Sequence, residues 1–334
     1  MESNLLIPEE HFTSAGDLLE ALTISTGKWL PDSYWNSPWV FRGQRKSEWD
    51  LTPTAWRTGN SAVIQRLLTL KRRISQDYRF EVKESFFKLP SKDEIDVPEP
   101  EVNNLIEAYS QARAEFKIIL EFLSLADELG HPVPGADKYF QLSHHDYIPD
   151  ILNYPLLHFL PEPNSATALA QHHGIPTRAV DWTYNPLVAA FFAAENISNE
   201  PNDGNIAVWA IRPDLLQKYV SDHIQKRKYC QFNVLKCPRS ENSYLHAQEG
   251  LFLFPIFGCA YYAINGCWPT LEEYAFDVAA IAKEPVLRKL TLPNAHSGEL
   301  LRLLWANSIS RGHLMPTYDN VTKSIISKWE WWDY

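Results

Sequence analysis

The sequence predicts an α+β fold, and three observations carry that expectation. From residue 164 onward, short β-branched and aromatic runs are separated by apolar helical segments. Residues 57–163 read mostly as helix. A strand pattern, WVFRGQ (39–44), lies ahead of that helical stretch, so the helices read as an insertion or subdomain.

Taken in order, residues 11–30 read as an amphipathic helix. Leu18, Leu19, Ala21, Leu22 and Ile24 form its apolar side, and Ser14 is the candidate N-cap. WVFRGQ is a strand ending in a turn at Gly43. LIEAYSQARAEFKIILEFLSLADELG (105–130) has helical periodicity and ends on Gly130, a C-cap residue type. KDEIDVPEPE (92–101) is an acidic, Pro-rich loop.

SATALAQHHG (165–174) reads as a helix closed at Gly174, and PTRAVDWT (176–183) as a strand or extended loop. NPLVAAFFAAENI (185–197) is a helix with Pro186 in its first turn. GNIAVWAIRP (204–213), HAQEGLFLFPIF (246–257) and LRKLTLP (287–293) are strands. SGELLRLLWANSI (297–309) is helical, and a last helix follows a loop. The long connection 218–240 reads as a loop, a common place for function. Residues 1–35 form an N-terminal helix region and 328–334 a tail.

The 334 residues are 45% hydrophobic and 22% charged, enough for one large domain or two modest ones. A net charge of -10 argues against a global basic surface for duplex nucleic acid. Cys230, Cys237, Cys259 and Cys267 lack zinc-type spacing. They read as free thiols of a cytoplasmic protein, with a Cys230–Cys237 redox pair as the alternative. MESNLLIPEEHF lacks a signal-peptide pattern, and no run approaches the roughly 18 apolar residues of a membrane helix. No membrane association is expected.

Chemistry concentrates in QHHGIPTRAVDWTYNPLVAAFFA (171–193). Polar groups this dense beside a core-forming helix must line a cleft or be fully paired, because buried unpaired charges are costly. His172 has the residue type of a general base. No HExxH spacing supports a metal site, and none is expected. Arg178 and Asp181 either brace the cleft as a pair or meet a ligand. Trp182 is either a core residue or a stacking ring. Arg42, at a strand end before Gly43, either pins a turn or grips phosphate or carboxylate. Gln248 and Glu249 stand just before a strand, where an isolated glutamate is usually solvated. The basic, aromatic stretch KRKYCQFNVLKCPR (226–239) is either a solvated loop or a contact for RNA or single-stranded DNA.

FRGQ (41–44), the QHHGIPTRAVDW segment, AQEGLF (247–252) and ISRGHLMPTYDNV (309–321) resemble the FRG domain, a family named for its Phe/Tyr-Arg-Gly motif. The likeness spans residues 36–327, with 57–163 as the helical insertion. Ala179 and Val180 replace the family's usual paired leucines. The family implies a bacterial or phage setting of toxins or anti-phage defence.

The motif order is also similar to that of Arg–Ser–Glu-type ADP-ribosyltransferases. That likeness implies an ADP-ribosyltransferase-like mixed sheet, NAD as substrate, and a nucleic acid or protein acceptor. It implies binding of NAD by Arg42, Gly43, Thr177, Arg178, Trp182, Thr183 and Phe252. Catalytic roles would fall to Glu249, Gln248, Asp181 and His172. Direct alignment places the catalytic glutamate position on Gly250; a one-residue bulge would make it Glu249 instead. A toxin of this kind implies a neutralising antitoxin or immunity protein. The alternative is a non-enzymatic module that recognises a nucleotide or a phage component.

Overall fold

The computed structural model describes residues 6–86, 102–143, 163–195, 203–219 and 231–331. The expected loop at 92–101, residues 226–230 of the basic stretch and the ends of the chain lie outside these residues.

A seven-stranded mixed sheet organises the molecule. Its strands are β1 (Glu9–His11), β2 (Val40–Gln44), β3 (Val180–Thr183), β4 (Asn205–Ile211), β5 (Phe232–Leu235), β6 (Gly250–Pro255) and β7 (Leu287–Pro293). Their spatial order is β1-β7-β4-β2-β3-β6-β5. β1 pairs with β7 in parallel, and the other neighbours are antiparallel.

The described helices are α1 (Ala15–Ala21), α2 (Ala62–Phe86), α3 (Val102–Glu128), α4 (Asp137–Ser143) and α5 (Ser165–His172). They continue with α6 (Pro186–Ala194), α7 (Pro213–Lys218), α8 (Ser243–Ala247), α9 (Gly258–Asn265) and α10 (Leu271–Ala282). α11 (Ser297–Ala306), α12 (Arg311–Leu314) and α13 (Tyr318–Trp331) close the chain.

The period-2 alternation of a strand assigns the two faces. On β4, Ile206, Val208 and Ala210 pack with α1, α6 and α11. Ala207, Trp209 and Ile211 pack on the other face with α7 and α10. The sheet is therefore covered on both sides, and β4 reads as a nearly continuous apolar run for that reason.

The helical region does not stand apart. Leu67, Leu105, Tyr109 and Leu123 share one cluster with Ala166 and Ala170 of α5 and Ala263 of α9. Each fully buried Leu or Phe contributes roughly 1.5–3 kcal/mol. This joint core fixes α5, whose C-terminal end carries His172.

Several elements differ from expectation. The first helix covers only 15–21 of the expected 11–30; Ser14 does cap it, accepting from the Asp17 amide. Beyond Leu22 the chain turns, and Trp29 Nε1 donates back to the Ala21 carbonyl. Strand 250–255 begins later than 246, because His246 and Ala247 belong to α8. Part of the long connection forms β5, paired with β6. β1 and α10 carried no earlier expectation. Among the described residues, no helix is long and apolar enough to cross a membrane.

Candidate functional site: a cleft between two central strands

β2 and β4 are paired at five positions, from Val40 opposite Ile211 to Gln44 opposite Ala207. β2 and β3 share only Phe41 opposite Thr183. Past that pair the strands are no longer paired, and Arg42 spans the space between them. Its Nη1 donates to the Asp181 carbonyl at 2.9 Å and reaches Asp181 Oδ2 at 3.4 Å. A side chain thus takes a carbonyl that a continuous ladder would have satisfied from the backbone.

The opening is a cleft of about 360 Å³. Arg42, Arg45 and Arg57 line it, and among the described residues Asp181 is its one carboxylate. Arg57 Nε donates to the Thr52 carbonyl at 2.8 Å. Burial, then the neighbouring Arg42, lower the Arg57 pKa to about 10, with Asp181 opposing, so it remains a cation at neutral pH. The cleft is positive inside a chain of net charge -10.

The Asp181 carboxylate is held from two elements, α5 and β2. Thr177 Oγ1 donates to Gln171 Oε1, and Gln171 Nε2 donates to Asp181 Oδ1. Arg42 reaches the other carboxylate oxygen. This chain of bonds fixes the Gln171 amide orientation, since a hydroxyl donates to its oxygen. Asn164 caps α5 through its side chain in a reciprocal capping box with Thr167, which anchors the helix that delivers Gln171 and His172.

His172 lines the same cleft. Burial lowers its pKa, Asp181 opposes that shift, and His173 adds to it. The ring is therefore neutral near pH 7. Three buried nitrogens of cleft residues lack a hydrogen-bond partner among the described residues: Arg42 Nε, His172 Nε2 and Trp182 Nε1. Each such group costs roughly 1–3 kcal/mol until something pairs with it.

The family model for the FRG domain matches residues 141–202. This chain contains an FRG domain. The matched stretch of the FRG domain includes α5, β3 and α6, the wall of the cleft that carries Gln171, His172 and Asp181. Arg42 and Gly43 reach the same cleft from outside the matched stretch, through the sheet. No curated protein and no solved structure matches the chain.

Measured against this cleft, the expected site residues divide. Arg42, Gly43, His172, Asp181, Trp182, Thr183 and Gln248 line it. Gly43 has a packing reason as well: a Cβ there would lie 1.9 Å from the Ala189 carbonyl oxygen of α6. Trp182 is almost fully buried in the sheet core. Thr183 Oγ1 is already engaged, donating to the Gln248 carbonyl at 2.6 Å and accepting from the Asn185 amide at 3.0 Å.

Arg178, Thr177 and Phe252 sit elsewhere. Arg178 is buried, its Nε donating to Glu115 Oε2 at 2.9 Å and Nη2 to Cys259 Sγ at 3.6 Å. Its expected partner, Asp181, pairs with Arg42 instead. Thr177 is fully buried and acts on the cleft only through Gln171. Phe252 is buried beside His172, with ring centroids 5.8 Å apart.

Glu249 lies outside the cleft lining. It has a positive φ of 49°, and its Oε1 accepts from Asn185 Nδ2 at 3.1 Å. β6 pairs in regular register from Gly250 opposite Thr183 onward, so no bulge swings Glu249 inward. At Gly250 a Cβ would lie 2.6 Å from Leu245 Cδ1. Neither alternative position supplies a carboxylate to the cleft.

Sequence reasoning passed over Gln171, Arg45, Trp49 and Arg57, all cleft residues. Gln171 opens the dense polar segment, and Arg45 follows FRGQ directly, so both stood beside visible signals. Arg57 and Trp49 come from irregular chain between β2 and α2, where no periodicity marks an inward side chain.

Proposed function

We propose that this protein is an NAD-consuming transferase of the ADP-ribosyltransferase type, and that the cleft between β2 and β3 is its active site. The observation that carries this reading is the charge of the cleft. Three arginines surround one carboxylate, and buried nitrogens of Arg42, His172 and Trp182 await partners. Such a lining suits a pyrophosphate, which guanidinium groups bind through paired hydrogen bonds.

In the proposed reaction the bond between ribose C1′ and the nicotinamide nitrogen breaks. Its electron pair leaves with nicotinamide, and an oxocarbenium-like ribose remains. The Asp181 carboxylate, held in place by Gln171, stabilises that charge. An acceptor nucleophile then bonds to C1′ and gives its proton to the neutral His172 Nε2. Asp181 takes the role that motif order assigned to Glu249. The acceptor is a nucleic acid or a protein. The FRG resemblance supplies the setting, a toxin or anti-phage effector paired with a neutralising protein.

The test is release of free nicotinamide from NAD by the purified chain, with candidate acceptors present. Asp181→Asn is expected to slow release by about a hundredfold or more. Release that is undiminished by Asp181→Asn removes the aspartate from this role. A second reading, a non-catalytic nucleotide-recognition module, is favoured by Glu249, which Asn185 holds away from the cleft. It predicts NAD binding with no nicotinamide released.

A further inference from the structure

We infer that Trp49 is the stacking platform for the nucleobase of the cleft's ligand, an inference that rests on the nucleotide-binding reading above. The ligand has two parts, anionic phosphate and a flat heterocycle. The arginines account for the first. For the second, the rings expected from sequence do not serve: Trp182 and Phe252 are 2% and 1% exposed, locked in the core, and Tyr184 lies outside the cleft lining. Of the other cleft rings, Phe41 is fully buried, and Phe192 packs against the core of the α6 face with its ring edge-on to Phe191. Trp49 is half-buried, lines the cleft, and presents the broad ring that stacking needs.

Its loop is pinned. Ser47 N donates to the Asn205 carbonyl at 2.8 Å, Trp49 N to the Lys46 carbonyl at 3.2 Å, and Gln44 Nε2 to the Asp50 carbonyl at 3.2 Å. Leu51 N donates to Glu272 Oε1 at 2.6 Å. A ring carried on a backbone held from both sides brings less loop-ordering cost to binding, which favours affinity. The cations beside it fit the same ligand. Arg45 and Lys46 lie 5.7 and 5.8 Å from the ring centroid, at the outer limit of a cation–π contact. A base on Trp49 would place its adjoining phosphate next to Arg45.

Calorimetric titration of the full chain with ADP, and separately with inorganic pyrophosphate, tests the assignment. Trp49→Ala is expected to weaken ADP binding roughly tenfold to a hundredfold, the scale of one base–aromatic stack. Pyrophosphate binding should stay as in the wild type, and Trp49→Phe should recover most of the ADP affinity. Equal loss for ADP and pyrophosphate would show that the residue only shapes the loop, and overturns the inference. So would ADP affinity that ignores the substitution, or a wild-type chain that binds no ADP. ADP carries no nicotinamide, so these outcomes are independent of whether NAD is cleaved. A chain that stacks ADP on Trp49 yet releases no nicotinamide keeps this inference and loses the transferase.

Discussion

Arg42 and Arg178 have the same side chain and opposite surroundings. Both were candidates for phosphate, because a guanidinium in a polar segment suits either a ligand or a brace. Arg42 spans the opening between β2 and β3, while Arg178 is sealed against Glu115. Burial and the Glu115 carboxylate act oppositely on Arg178, and the carboxylate wins, so its pKa is raised. Arg178→Ala should cost roughly 3–5 kcal/mol in urea unfolding, because the buried Glu115 charge loses its cation and keeps only neutral donors, Trp56 Nε1 and Gln111 Nε2. His172 gives a prediction in pH. Its folded pKa lies below the unfolded value of about 6.5, so the unfolded chain binds the proton more readily. Stability is therefore lost as pH falls through about 6.5 toward the folded pKa. The thermal midpoint should drop between pH 7 and pH 5 by less in His172→Gln than in the wild type; an identical drop contradicts the assigned shift.

At the scale of elements, the strands and helices of 165–194 were legible because periodicity, the closing Gly174 and Pro186 all agree. β1 was not, since its sequence, EEH, has no apolar alternation and its existence depends on β7 alongside. β5 was hidden in a basic run read for charge rather than for pattern. The FRG motif's glycine also belongs to this scale. Gly43 lets α6 approach β2 so closely that a Cβ would lie 2.5 Å from the Ala193 amide nitrogen. Gly43→Ala should destabilise the chain by about 1–3 kcal/mol through overpacking, measurable as a lower unfolding midpoint. An unchanged midpoint would mean that α6 shifts freely, against the close packing of this face.

For the whole molecule, motif order conveyed the middle wall of the cleft and the arginine facing it. It could not convey which way the chain turns before β6, and there the positive φ of Glu249 takes the expected acid out of the site. Nor could it convey Arg57 and Trp49, whose entry depends on how the irregular chain after β2 folds back to the cleft. Topology also has a mechanical meaning. Four strands, β1-β7-β4-β2, stand on one side of the cleft and three, β3-β6-β5, on the other. In the backbone ladder a single residue pair stitches the two panels, and Arg42 adds a second stitch through Asp181. An anion that captures Arg42 must compete with that stitch, so ligand affinity and the stiffness of the sheet draw on the same guanidinium. Under the proposed anion binding, a tighter seam without ligand means a weaker grip with it.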